Sequence, residues 1–130
     1  MKKITMLIFG VLTTLIVIDA HAETLIMDTK VTGVMCGIFG GANMCQIYFD
    51  KQSNSTCAGP TFKHRMTLDT GTSIGKSLLS VALMANASGK IVVVKGTGTC
   101  SIWPDTEDLD VLFTSPSCAS SFNSWGCTNQ

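Results

Sequence analysis

Between Thr24 and Met35 apolar and polar side chains alternate loosely, with Leu25, Met27, Val31 and Val34 on the apolar side. A period of two marks a half-buried strand, and Gly33 is a place for a bulge, so a long bent strand is expected. Met44 to Phe49 reads as its hairpin partner. Asp50 to Pro60, rich in Ser, Asn and Gly around Cys57, reads as a polar loop. From Thr61 to Leu68 the alternation returns, with Phe62, His64, Met66 and Leu68 on one face and Lys63 and Arg65 on the other. That pattern predicts a third strand with one wet face and a half-buried His64.

The period then changes to 3.6. Ile74, Leu78, Val81, Ala82 and Ala85 fall on one helical stripe, Thr70, Thr72 or Ser73 can cap its start, and Gly89 stands where a left-handed terminating residue belongs. Lys90-Ile91-Val92-Val93-Val94-Lys95 is a β-branched run that predicts a central strand buried on both faces. Gly96-Thr97-Gly98-Thr99 turns the chain, and Leu109 to Thr114 supplies a short fifth strand. The expected order is β-β-β-α-β-β, mainly β with one helix. This is the order of a five-stranded OB-type barrel; an α+β sandwich with the same elements and no barrel closure is the other reading.

The residues before Thr24 follow a different rule. Lys2 and Lys3 precede an apolar run from Ile4 to Ile18, and Ala20-His21-Ala22 has the small-x-small form of a cleavage site. Residues 1 to 22 read as a secretory signal peptide and residues 23 to 130 as one domain, with a tail from about residue 115. A run of about 15 apolar residues falls short of the roughly 20 that span a bilayer, and no later stretch is longer, so no membrane span is expected in the mature protein. Two of the nine basic and one of the nine acidic side chains lie in this leader, which leaves the domain near neutrality. Without a basic field, nucleic acid is not an expected partner.

All six cysteines, Cys36, Cys45, Cys57, Cys100, Cys118 and Cys127, follow the leader. In an oxidising compartment an even number predicts disulfides, here with fifteen formal connectivities. Spacing ranks them. Cys36 and Cys45 flank a Gly-rich stretch that suits a clamped hairpin, Cys118 and Cys127 enclose a Ser/Asn-rich tail, and Cys57 and Cys100 remain. A structural metal is disfavoured, because no pair has CxxC spacing and His64 is the one histidine after the leader.

Candidate chemistry is sparse. Gly71-Thr72-Ser73-Ile74-Gly75-Lys76-Ser77 resembles a P-loop but has three residues between its glycines where the motif needs four, so a capped helix start is the better reading. Asp105-Thr106-Glu107-Asp108-Leu109-Asp110 is the one dense acidic run; it lacks the glycine and terminal glutamate of a calcium loop and reads as a solvated strand entrance. No serine sits in a GxSxG elbow, and every cysteine has a disulfide partner to hand, so a non-catalytic protein without a cofactor is expected. Trp103, followed by Pro104 and Asp105, and Trp125 in the tail are the candidate ligand-binding residues. Aromatic faces stack on sugar rings and apolar partner surfaces; the plainer alternative is that each tryptophan plugs an end of a small core.

Leu68 to Ser80, Ala87 to Val94 and Gly96 to Asp105 resemble a set of small exported bacterial proteins whose helix-then-strand core is similar to the B subunits of subtilase-cytotoxin-like and pertussis-like toxins. The resemblance spans about residues 61 to 113. It implies an OB fold, a glycan ligand and a homo-pentamer with the helix at a central pore. The expectation is therefore a periplasmic or secreted binding module for a glycan or protein, the alternative being a monomeric periplasmic structural or inhibitor protein that binds another protein.

Overall fold

In the computed structural model, which describes residues 23 to 114, a five-stranded sheet carries one helix. Strand β1 spans Leu25–Phe39 and β2 Ala42–Phe49. Strand β3 is Arg65–Asp69, helix α1 Ser73–Ser88, β4 Ile91–Gly96 and β5 Leu109–Thr114. The sheet order is β3-β2-β1-β4-β5, every neighbouring pair antiparallel.

Strand β1 belongs to both halves of this sheet. Its first part, Leu25 to Lys30, pairs with β4, and from Val31 onward it pairs with β2. The hand-over falls at a register shift between Val31 and Gly33, the position marked by the glycine, and a second irregularity between Ile26 and Thr29 contains Asp28 at φ 50°. Such bulges bend a strand and increase its twist. The curled sheet brings its edge strands together at a parallel bridge between Thr67 and Asp108, where the Thr67 amide donates to the Glu107 carbonyl at 2.8 Å. Among the described residues this bridge is their one pairing, and the sheet stays open.

The β1–β2 hairpin closes through Gly40 and Gly41, both at positive φ, with Phe39 opposite Ala42. A two-residue turn with both central residues left-handed matches the twist of the flanking strands, and glycine adopts it without a Cβ clash. Cys36 and Cys45 are directly opposed in this hairpin and joined by a disulfide, and Cys57 is joined to Cys100, as their spacing predicts. Cys118 and Cys127 lie outside the described residues. Asp50, just past β2, accepts from the Thr29 hydroxyl at 2.6 Å and the Lys30 amide at 2.8 Å. Those bonds hold its carboxyl below the usual carboxylate range.

Val92, Val93 and Val94 are all buried, so β4 is the central strand its composition predicts. Ile26, Cys45, Ile47, Met66, Leu68, Val92, Val94 and Leu112 form the core with Ala82 and Ala85 of α1. Thr72 caps the helix, its Oγ1 accepting from the Gly75 amide at 2.9 Å, and Gly89 ends it at φ 64°. The apolar stripe is one position shorter than its spacing implies: Ile74 is 70 % exposed. In that first turn Gly75 takes the buried place, and a Cβ on it would lie 1.8 Å from the Asp69 carbonyl oxygen. Gly75 of the P-loop-like segment thus serves the close docking of α1 onto the end of β3.

The third strand also starts later than the alternation suggests. Pro60–Phe62 forms a 3₁₀ turn with proline at its start, which breaks the period-two frame before Arg65. His64 is therefore exposed and reaches Gln52 at 3.1 Å, while Met66 and Leu68 enter the core as expected. Among the described residues no helix is long and apolar enough to cross a membrane.

Gly75→Ala should lower stability by about 3 kcal/mol, against about 1 kcal/mol for Thr72→Ala, in urea unfolding followed by circular dichroism. Replacing Cys57 and Cys100 by serine should cost about 1 kcal/mol more than replacing Cys36 and Cys45. The two loops span sequence separations of 43 and 9, and chain entropy scales with the logarithm of loop length. Non-reducing denaturation of the two double variants measures the difference.

Candidate functional site

The connection from β4 to β5 has to satisfy its own backbone away from the sheet. It does so around one carboxylate. The Asp108 side chain accepts from the amides of Ser101 at 2.9 Å and Ile102 at 3.0 Å, from the Thr99 hydroxyl at 3.3 Å and from the Ser101 hydroxyl. Glu107 Oε1 accepts from the Gly98 amide at 2.8 Å. Glu107 and Asp108 are both buried, which corrects the expectation of a solvated acidic run. The Asp108 oxygens face amides and hydroxyls that only the folded loop supplies, whereas Glu107 has the Gly98 amide on Oε1 and no hydrogen-bond partner on its buried Oε2; Asp105 and Asp110 are the exposed members. Gly96 makes room for this arrangement, since a Cβ there would lie 2.3 Å from Glu107 Oε1.

Beyond this anchor the chain turns at Trp103-Pro104-Asp105-Thr106, with the Thr106 amide donating to the Trp103 carbonyl at 3.3 Å. Proline cannot take a positive φ, and Asp105 has φ 63°, which makes this a type II turn with an aspartate where glycine is usual. The Gly59 amide donates to the Asp105 carbonyl at 3.0 Å, and the Cys57–Cys100 disulfide joins the same two loops. The turn is thus held from both sides.

An open cavity of about 500 Å³ lies between this turn, the Gly40-Gly41 hairpin end and the 3₁₀ turn. Phe39, Ala42, Phe62, Ile102, Trp103 and Asp105 line most of it. Phe39 and Trp103 meet edge to face, their centroids 5.9 Å apart and their planes at 73°, a geometry favoured by the ring quadrupoles. Arg65 stacks its guanidinium on Phe62 at 4.1 Å from the ring centre. It donates to the Thr106 hydroxyl at 3.1 Å and the Tyr48 hydroxyl at 3.4 Å.

Trp103 and Asp105, both singled out from sequence, line the same cavity. Trp125 lies outside the described residues. Trp103 is half-buried against Phe39, so it neither plugs a core nor stands free in solvent. Phe39 is not among the residues singled out from sequence, and Phe62, expected on the apolar face of the third strand, lies in the 3₁₀ turn and lines the cavity instead; both carry a signal. A Cβ on Gly37 would come within 3.0 Å of the Phe39 ring, and one on Gly59 within 3.2 Å of Phe62. Glycines so close to an aromatic residue clear space for its ring.

No family model matches this chain, and none of the curated proteins does.

Asp108→Asn should destabilise the domain by about 2 kcal/mol, because a hydrogen bond to a charged acceptor contributes more than a neutral one and the amide NH₂ would face donors. In a Trp125→Phe background, Trp103 emission should shift to the red as the turn loosens.

Proposed function

We propose that this chain is an exported, non-catalytic binding module of OB type that takes a glycan ring or an apolar protein side chain in the Phe39–Phe62–Trp103 cavity. The observation that carries this reading is the cavity itself: aromatic walls, an open mouth and one acidic residue, set on the end of the β1–β2 hairpin, the 3₁₀ turn and a β4–β5 connection tied down in advance. A pre-ordered site loses little conformational entropy when it binds. The strand order supports the OB reading, as does the approach of β3 to β5 at Thr67 and Asp108. OB folds bind oligosaccharides and oligonucleotides with the connections that follow their first and fourth strands, and here those two connections flank the cavity. The two disulfides support an oxidising destination, periplasmic or secreted. The similarity to toxin B subunits extends the proposal to a homo-pentamer, in which weak single sites would act together.

A second reading, a monomer that binds another protein, draws on Ile38 and Met35, which are 74 % and 40 % exposed on the same hairpin. Met35 shares the strand face of Phe39 and Ile38 lies on the opposite face; exposed apolar side chains on a hairpin enlarge the contact a protein partner can make.

Light scattering of the non-reduced mature protein separates the two: a mass near five protomers supports the multivalent glycan module, and a single protomer favours the protein partner. In either case Trp103→Ala should weaken binding by about tenfold or more, the typical cost of losing an aromatic anchor, with circular dichroism unchanged. Unaltered glycan-array and pull-down profiles for that variant would refute the cavity as the site.

A further inference from the structure

The character of the cavity points to a ligand other than the glycan ring or apolar side chain proposed above; this inference rests on that reading only for the cavity as the binding site. Of the side chains lining it, Asp105 alone carries a charge, and that charge is negative. Around it stand three aromatic residues, two of them at 73° to each other. The face of an aromatic ring is the negative part of its quadrupole, so rings set at a steep angle and joined by a carboxylate form a field that favours a cation. Phe62 already carries the protein's own Arg65 guanidinium 4.1 Å from its ring centre, outside the cavity lining, so the attraction for an incoming cation comes from Asp105 and the rings of Phe39 and Trp103. A pyranose needs polar partners for several hydroxyls, whereas this lining is mostly carbon with one carboxylate. A trimethylammonium group needs no hydrogen-bond acceptor and spreads its charge over methyl groups that pack on rings.

We propose that the cavity formed by Phe39, Phe62 and Trp103 binds the trimethylammonium group of a choline-type head group, with Asp105 as its counter-charge. The open mouth lets whatever carries that head group extend into solvent. The backbone of Asp105 is held by the type II turn and by the Gly59 amide, which donates to its carbonyl, so the residue stands at the cavity before the ligand arrives.

The test uses the full mature protein carrying Trp125→Phe, titrated with choline chloride while Trp103 fluorescence is read. The comparison probe is the uncharged analogue in which a tert-butyl group replaces trimethylammonium, matching its shape without its charge. Choline should bind about tenfold more tightly than this analogue. Asp105→Asn should reduce choline affinity several-fold and leave the analogue unchanged; asparagine tolerates positive φ, so this variant keeps the turn. Equal affinity for the two probes, or no response to choline at tens of millimolar, would overturn the inference. If choline fails while a glycan or protein still binds in a Trp103-dependent way, the cation assignment falls and the cavity reading stands. If Trp103→Ala changes no binding of any kind, both fall.

Discussion

A strand shared between two partners is the constraint on which this architecture rests. β1 can pair with β4 along its first part and β2 along its second only because the backbone shifts register between Val31 and Gly33. A flat strand would have left the hairpin and the β4–β5 pair in one plane. The bend curls them towards each other, which encloses Ile47, Met66, Val92, Val94 and Leu112 and gives α1 a concave face to cover. It also brings β3 and the entrance to β5 close enough for the Thr67 amide to reach the Glu107 carbonyl. A hairpin end and a remote loop can then share one cavity.

Polar burial secures that loop. Ionised carboxylates are rarely buried unless their oxygens are satisfied, because desolvation costs several kcal/mol per charge. Asp108 meets the condition with two amides and two hydroxyls from Thr99, Ser101 and Ile102. Four donors converging on one group leave the residues before Trp103 little freedom, and the Cys57–Cys100 disulfide holds the same segment to the loop after β2. The cavity is therefore walled by the end of the β1–β2 hairpin and by loops held by a disulfide and by hydrogen bonds. That order suits the proposed aromatic site, because a preorganised cavity loses little conformational entropy to a ligand that makes few hydrogen bonds.

The helix shows how one motif can serve packing instead of chemistry. Glycines ahead of Lys76 and Ser77 suggest a phosphate cradle, but Gly75 is needed because α1 lies almost on the Asp69 carbonyl. Thr72 uses its hydroxyl to bridge the same carbonyl and the Gly75 amide. A glycine-rich entry to a helix satisfies two different demands, and the missing residue in the spacing is what distinguishes them here.

Local rules made much of this protein readable from its residues alone. The Thr72 cap and Gly89 terminus bound the helix, three consecutive valines mark a strand covered on both faces, and Gly33 marks the bulge. The separations of Cys36 from Cys45 and Cys57 from Cys100 match the bonds they form. Each signal acts over a few residues or reflects simple chain geometry. The misread features depend on neighbours distant in sequence or on a local break. Pro60 starts a turn that removes His64 from the frame of Met66 and Leu68. Glu107 and Asp108 look like surface charges until Gly98, Ser101 and Ile102 fold back onto them. Trp103 and Asp105 could be named in advance, because exposed aromatic turns are a local signal, but Phe39 and Phe62 become part of the site only when three separate segments converge. Residue patterns determined the elements and their staples, whereas the curvature of β1 decided which elements meet, because a bend of one or two residues in the middle of a strand displaces everything beyond it.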